Sequence, residues 1–150
     1  MVNEDYRDIL SALVQQRARF LVVGAHAMAA HGYPRATVDI DVWVEPTEEN
    51  AERVWQSLAA FGAPLDALDV NRDDFVRPDV VVQFGLPPNR VDILTGVSGL
   101  RFDMAWANRI EAVVDGVRVP VISLSDLIEN KRATGREKDR ADIKGLKGES

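Results

Sequence analysis

An alternating segment at residues 38–44 constrains the fold of this chain more than any other feature. In Val38-Asp39-Ile40-Asp41-Val42 apolar and acidic residues alternate. This pattern predicts a β-strand, because successive side chains on a strand point to opposite faces. Asp39 and Asp41 then share one face, about 6–7 Å apart. Two acids on one face of an otherwise apolar strand repel each other, so the segment indicates a site for Mg²⁺ or Mn²⁺.

A third acid lies in a similar setting. Asp92 is the middle residue of Arg90-Val91-Asp92-Ile93-Leu94, which predicts a second short strand. If this strand lies beside residues 38–44, three carboxylates meet on one side of the sheet. Such a cluster can hold two metal ions about 3.5–4 Å apart, an arrangement suited to phosphoryl transfer. The alternative is that the Asp-x-Asp pair marks only a solvated strand end, and the apolar neighbours together with Asp92 favour the functional interpretation.

The remaining segments predict an α/β (α+β) fold with a mixed β-sheet and helices mainly on one face. Apolar periodicity predicts helices over 6–14 and 51–61, and Ser123-x-x-Asp126 is a capping pattern that begins another helix. Asp115-Gly116 predicts a tight hairpin turn. Apolar runs predict strands at 20–23, 38–44, 80–84, 90–94, 110–114 and 117–121. We expect residues 1–150 to form a single domain.

Composition excludes several other classes of protein. The chain has no Cys, which excludes disulfides and thiolate metal sites, and its 46% hydrophobic and 28% charged residues indicate a globular protein. No apolar run is long enough to span a bilayer, and residues 1–20 lack a signal-peptide pattern. We therefore expect a cytoplasmic protein without membrane association. The net charge of -6 argues against broad, unspecific binding of nucleic acid.

Three further parts of the chain carry candidate phosphate-binding residues. Gly24 and Ala25 follow a buried strand, and a strand-to-helix turn there can bring backbone N–H groups close to phosphate oxygens. Taken alone, this pair would indicate only a turn. Arg35 could clamp a phosphate, or it could pair with an acid at the mouth of the site. The basic run Lys131–Arg140 is either a solvated helical face or a source of positive charge for the site.

Together these motifs resemble the nucleotidyltransferase superfamily of the DNA polymerase β type. That superfamily is marked by hG[GS], a downstream hDhDh and a third acid on a neighbouring strand, which correspond here to Gly24-Ala25, Asp39-Ile40-Asp41 and Asp92. Residues 24–41 and 127–142 are also similar to small bacterial nucleotidyltransferase-like proteins of the AbiEii toxin group. The resemblance covers residues 20–45, 90–95 and 122–146, in family order.

The resemblance implies a minimal nucleotidyltransferase fold and a role for each motif. It implies that Asp39 and Asp41 bind the metal, and that Asp92 completes the site and serves as the base on the acceptor hydroxyl. It further implies that the nucleotide phosphates are contacted or their charge offset by the following residues: Gly24, Ala25, Lys131, and Arg132 or Arg136. One departure is Ala25, because the family has Gly or Ser there and Ala lacks a hydroxyl. Larger members carry a helical acceptor domain; we expect none here, so a homodimer could complete the cleft.

The leading hypothesis is Mg²⁺- or Mn²⁺-dependent transfer of a nucleoside monophosphate from a nucleoside triphosphate, such as ATP, to an acceptor hydroxyl. The AbiEii-like resemblance implies RNA, such as a tRNA end, or a protein as the acceptor, and a role in toxin–antitoxin or phage defence with an antitoxin partner. Two alternatives stay open. The same acids could serve a metal-dependent nuclease, or the chain could be a degenerate module that binds a nucleotide or a partner protein. Ala25 favours that module, and the intact Asp39, Asp41 and Asp92 disfavour it.

Overall fold

The computed structural model describes residues 2–33, 39–86 and 89–148. Within them the chain forms six α-helices and one six-stranded mixed sheet, which confirms the predicted fold class. The helices are α1 (Glu4–Gln15), α2 (Gly24–Ala30), α3 (Glu48–Phe61), α4 (Phe102–Ala107), α5 (Leu124–Thr134) and α6 (Glu137–Leu146). The strands are β1 (Phe20–Val23), β2 (Asp39–Val44), β3 (Val81–Phe84), β4 (Arg90–Leu94), β5 (Ile110–Val114) and β6 (Val117–Val121). None of these helices combines the length and the apolar character needed to cross a membrane.

The order of the strands places the acid-bearing segments in the middle of the sheet. The order is β3-β4-β2-β1-β6-β5, so β2 has a neighbour on each side. It pairs in parallel with β4 and antiparallel with β1. Strands β3 and β4 pair antiparallel, as do β5 and β6, and the predicted hairpin turn joins the latter pair, with Asp115 and Gly116 at positive φ. Because β2 and β4 are adjacent, the condition set by the sequence for three converging carboxylates is met.

Alternation along β2 separates the hydrophobic core from the site. Ile40, Val42 and Val44 are fully buried on one face, and burial of each such side chain contributes about 1.5–3 kcal/mol. Asp39 and Asp41 lie on the opposite face. Trp43 shares that face but is only 1% exposed, and it packs edge-on against Phe102 with ring centroids 5.2 Å apart. Trp43 is therefore a core residue.

Helix α5 begins at the residue that its capping pattern predicted, and α3 begins with a similar cap at Thr47. The Thr47 hydroxyl accepts a hydrogen bond from the backbone N–H of Asn50 at the start of α3, and Ser123 accepts one from Asp126 at the start of α5. These bonds satisfy backbone donors that the first turn of a helix leaves without partners. Helix α3 ends at Gly62, which takes the left-handed conformation. The starts of both helices and the end of α3 are thus set by local sequence.

The basic segment Lys131–Arg140 is divided between two helices that meet at a corner. Helix α5 ends at Gly135, whose φ of 63° is left-handed, and α6 begins two residues later. The buried carboxylate of Asp139 closes this corner. It accepts hydrogen bonds from the Thr134 hydroxyl at 2.6 Å and from the Arg136 backbone N–H and Nε at 3.1 and 2.8 Å, and it lies 3.8 Å from Lys131 Nζ. The Arg136 guanidinium holds the pKa of Asp139 well below its usual value.

We predict that Asp139→Asn lowers the free energy of unfolding by about 2 kcal/mol at neutral pH, because it removes charge-assisted hydrogen bonds at a buried position. Urea denaturation measures this loss. The folded-state pKa of Asp139 is lowered, so its contribution is complete above about pH 5 and declines as the pH falls below about 4. The difference between the two proteins should shrink over the same range.

Asp103→Asn is the matched control for this prediction. Asp103 forms a pair with Arg101 in which both side chains are more than half exposed. Its loss should change the free energy of unfolding by no more than about 0.5 kcal/mol. Equal effects of the two substitutions would show that the α5–α6 corner does not stabilise the fold.

Candidate active site

Three carboxylates lie on one face of the sheet because of the register between β2 and β4. The parallel pairing sets Asp39 opposite Arg90 and Asp41 directly opposite Asp92. Strands in a sheet lie about 4.8 Å apart, so Asp41 and Asp92 are close neighbours. Asp39 is two residues before Asp41 and therefore points to the same side. The predicted meeting of the three acids is present in the structure.

Arg90 neutralises part of this charge. One end of its guanidinium lies 2.7 Å from Asp39 Oδ2, and its Nε donates to Asp92 Oδ1 at 3.1 Å. A second hydrogen bond runs to Asp92 Oδ2 at 3.3 Å. Arg90 is two residues before Asp92 on β4, so strand alternation places it on the same face as the acids. This alternation was the available signal for Arg90, which the sequence analysis did not identify as a site residue.

The proximity of the acids changes the protonation of Asp41. Burial first, and then a hydrogen bond with Asp92 and the charges of Asp92 and Asp39, raise the pKa of Asp41 well above its usual value. Arg90 acts in the opposite direction. One positive side chain therefore does not fully compensate the three carboxyl groups, and the site favours a proton or a further cation.

Tyr6 of α1 responds to the same negative charge. Its hydroxyl donates to the Arg90 carbonyl oxygen at 3.1 Å. Burial first, and then the charges of Asp39 and Asp115, raise the pKa of Tyr6 to about 12. The hydroxyl therefore stays protonated and remains a donor to the backbone of β4 at any physiological pH.

The donor set suits a divalent cation, although Arg90 holds part of it. Carboxylate oxygens are the ligands that Mg²⁺ and Mn²⁺ prefer. Asp39 Oδ1 is buried and has no hydrogen-bond partner among the residues that the structure describes, so one oxygen is left for another ligand. In the described parts of the chain, however, no group of three His, Asp or Glu side chains is arranged so that it could hold a metal ion without rearrangement. The residues therefore fit such an ion once the guanidinium releases the oxygens it contacts.

Gly24 allows the chain to pass close to the acids at the start of α2. Its φ of 68° is left-handed, and a Cβ atom at this position would overlap Oδ2 of Asp41. Only glycine satisfies both conditions without strain. Ala25 follows and lines the same cleft. The Gly24-Ala25 turn thus lies beside the acids, as the sequence indicated.

Positive charge lies on the α5–α6 side of the cleft. Lys131 is 9% exposed, and its Nζ lies 3.1 Å from Asp142 Oδ2, with Asp139 also near. Lys138 lies on α6 and is exposed. Because Asp139 and Asp142 are themselves buried, they can hold the Lys131 ammonium in one place.

The acids and the basic residues line a single cleft of about 580 Å³, a volume typical of small-molecule sites. Its polar lining is formed by Asp39, Asp41, Arg90, Asp92, Ser98, Asn130, Lys131, Arg136 and Lys138. Arg90, Ser98 and Asn130 were not identified from the sequence, and Lys138 was considered only as part of the basic run Lys131–Arg140. Arg132 is not among the described residues of the lining; it forms a half-exposed pair with Glu129 at 2.9 Å. Arg35 lies outside the described residues.

Comparison with known proteins identifies the family to which this arrangement belongs. The sequence model of a family described as "Nucleotidyltransferase of unknown function (DUF6036)" matches residues 1–147. A search of curated proteins found no match.

Solved structures share the fold. A Thermotoga maritima protein described as a "putative nucleotidyltransferase" (TM1012) has a TM-score of 0.62 and 18% identity, covering 99% of this chain and 96% of that one. The lincosamide antibiotic adenylyltransferase LnuA, solved with lincomycin bound, has a TM-score of 0.55 and 15% identity, covering 100% of this chain and 99% of its own. At these identities the likeness shows a common fold.

We predict that Gly24→Ala destabilises the protein by about 2–4 kcal/mol, because left-handed strain adds to the overlap with Asp41. Gly62→Ala is the control, since Gly62 is also left-handed but has open space around its Cβ position. It should lose only about 1 kcal/mol. Chemical denaturation measures both.

A double variant isolates the contact with Asp41. In an Asp41→Ala background the overlapped oxygen is gone, so Gly24→Ala should be less destabilising there than in the wild type. Equal losses in the two backgrounds would show that Gly24 is required only for its backbone conformation.

Proposed function

The chain belongs to the nucleotidyltransferase family DUF6036, and we propose that it transfers a nucleoside monophosphate from a nucleoside triphosphate to an acceptor hydroxyl with the help of a divalent cation. The observation that carries the proposal is the in-register pair Asp41 and Asp92, with Asp39 on the same face, beside the Gly24 turn. Family membership establishes a nucleotidyltransferase; the metal, the acceptor and the roles of individual residues are what we propose.

The acidic face of the cleft is the proposed reaction centre. Asp39, Asp41 and Asp92 would hold the divalent cation, preferably Mg²⁺ or Mn²⁺, which neutralises charge on the transferred phosphoryl group when bound. Asp92 is also the proposed acceptor of the proton that leaves the attacking hydroxyl. Its side chain is largely buried but remains on the cleft surface, where an acceptor can approach it.

The basic face of the cleft is the proposed site of the triphosphate. Lys131, Arg136 and Lys138 line the cleft along with the acids, so phosphate oxygens lying between the two faces would meet positive charge. Gly24 and Ala25 would lie against the phosphates through their backbone. The pair of Arg132 with Glu129 leads us to assign charge neutralisation to Lys131, Arg136 and Lys138. Arg35 remains a proposed phosphate contact from sequence alone.

A degenerate binding module is the rival that one observation favours. Arg90 already compensates Asp39 and Asp92, so the acids can persist in the fold without any metal. Asp41 has no ion pair with Arg90, however, and its burial beside Asp92 and Asp39 raises its pKa, so Arg90 compensates the cluster only in part. This uncompensated charge suits a bound cation, which the proposed enzyme requires and a module that binds only a partner protein does not.

We predict that the wild-type protein transfers label from α-³²P-labelled nucleoside triphosphates to RNA or protein in a cell extract when Mg²⁺ or Mn²⁺ is present. Asp41→Asn and Asp92→Asn should each reduce transfer by on the order of 100-fold or more, because each removes an electrostatic group from the reaction centre. Digestion of the product with ribonuclease or with protease identifies the acceptor class. Asp66→Asn, at an exposed carboxylate outside the cleft, is the control and should transfer label at the wild-type rate.

Each alternative has its own outcome in this assay. Shortened RNA without label would replace the transferase with a nuclease. Binding of a nucleotide without transfer or cleavage would favour the degenerate module. Full activity of both Asp41→Asn and Asp92→Asn would remove the acidic cluster from the mechanism.

We also predict that Lys138→Gln weakens nucleotide binding by about 1 kcal/mol, or about fivefold, because an exposed ammonium on the cleft lining is lost. The rise in melting temperature with nucleotide and Mg²⁺ measures this, since a ligand stabilises the folded state that binds it. Lys144→Gln removes the same charge from α6 outside the cleft and should leave the rise unchanged. Identical shifts for the two variants would exclude α6 from the triphosphate site.

A further inference from the structure

We propose that Arg90 is a resident counter-ion of the acidic cluster, which holds the site together when no metal is bound and must release Asp39 and Asp92 for a divalent cation to bind. This inference rests on the proposed metal-binding role of the acids. It goes beyond that role because it assigns to Arg90 a direct competition with the metal, and therefore control over its affinity.

The first observation that supports the proposal is the geometry of the Arg90 guanidinium. Arg90 reaches across from β4 to Asp39 on β2 while its Nε and a terminal nitrogen contact both oxygens of Asp92. Arg90 therefore contacts one oxygen of Asp39 and both oxygens of Asp92. A planar guanidinium is well suited to such a fork, which a single ammonium cannot reproduce.

The second observation concerns the carboxylate oxygens that Arg90 does not contact. Within residues 2–33, 39–86 and 89–148, buried Asp39 Oδ1 has no hydrogen-bond partner, and it belongs to the same carboxylate whose other oxygen contacts Arg90. A cation bound by that oxygen and by Asp41 alone would have two carboxylates, whereas a cation bound also by Asp92 would need an oxygen that Arg90 contacts. Among the described residues no three acidic or His side chains are arranged to hold a metal ion, which agrees with the contacts that Arg90 makes to Asp39 and Asp92.

The exposure of Arg90 makes its release feasible. A third of the side chain, 34%, is exposed to solvent, and Arg90 already lines the cleft. A partly exposed guanidinium regains hydration when it leaves its partners, and a divalent ion attracts the same carboxylates with twice the charge. Two positive groups cannot share the same oxygens at close range, so binding of one disfavours the other.

The test measures binding of Mn²⁺ alone, without nucleotide, by isothermal titration calorimetry and by thermal shift. Arg90→Gln should bind Mn²⁺ at least about fivefold more tightly than the wild type, because the competing cation is gone. It should also have a lower melting temperature in EDTA, and Mn²⁺ should raise that temperature by more than it does in the wild type. Arg101→Gln removes the same charge from an exposed pair with Asp103 and should bind Mn²⁺ as the wild type does.

Two further measurements keep the test decisive if Arg90→Gln does not fold. Arg90→Lys retains the charge but cannot contact both acids through one fork, so its affinity for Mn²⁺ should lie above that of the wild type. In the wild type, the NMR signal of the Arg90 Nε–H should shift when Mg²⁺ is added, because its hydrogen bond to Asp92 is broken. The Nε–H signal of Arg101 should not shift.

Equal or weaker Mn²⁺ binding by Arg90→Gln and Arg90→Lys would overturn the proposal, as would an Arg90 Nε–H signal that stays in place while the metal binds. No Mn²⁺ binding by any of these proteins would overturn it too. These outcomes are independent of label transfer. If Mn²⁺ binds in competition with Arg90 but no label is transferred, this inference holds and the proposed function fails.

Discussion

Asp41 and Asp92 lie directly opposite each other on two parallel strands, and the remainder of the site is arranged around the charge that this pairing brings together. Carboxylates that are close and largely buried repel each other and lose hydration, which is unfavourable unless positive charge or a proton lies nearby. The protein supplies both: Arg90 contacts two of the three acids, and the pKa of Asp41 is raised. A fold that keeps such a cluster in its central strands retains a strong preference for a cation there.

On the α5–α6 side of the cleft the charges are reversed, because here a cation is held by buried carboxylates. Lys131 is a mostly buried ammonium, and two buried carboxylates, Asp139 and Asp142, face it. Asp139 also closes the corner between α5 and α6, so one carboxylate both stabilises a helix junction and positions charge at the cleft. Charges held in this way need little reorganisation when a ligand arrives, which is favourable for binding and for catalysis.

Much of this arrangement follows from short-range patterns in the sequence. Alternation over 38–44 and 90–94 identified the acidic face, and Asp115-Gly116 and Ser123-x-x-Asp126 located a hairpin and a helix start, because these signals depend on neighbouring residues alone. The pairing of β2 with β4 could only be stated as a condition, since strand neighbours are decided by tertiary packing. The break at Gly135 was not predicted either, because it depends on the contacts that Asp139 makes after the two helices meet.

The site residues also fall into those that local sequence indicates and those that depend on tertiary packing. Asp39, Asp41, Asp92 and Gly24 stand where their local pattern indicated. Arg90 obeys the same alternation, but its contact with Asp39 depends on the pairing of β2 with β4, which local sequence does not determine. The sequence alone did not distinguish Arg132 from Arg136 as a phosphate contact. The course of the chain at the α5–α6 corner places Arg136 at the cleft and leaves Arg132 paired with Glu129.

The interior position of β2 has a consequence for how the site behaves in time. A strand with partners on both sides exchanges its amide hydrogens slowly, since they are released only by openings that approach global unfolding, whereas outer strands such as β3 and β5 can fray independently. The backbone beneath Asp39 and Asp41 should therefore be among the most persistent parts of the molecule. Rearrangement on ligand arrival would then be confined to side-chain rotamers, on a timescale far shorter than that of any backbone opening.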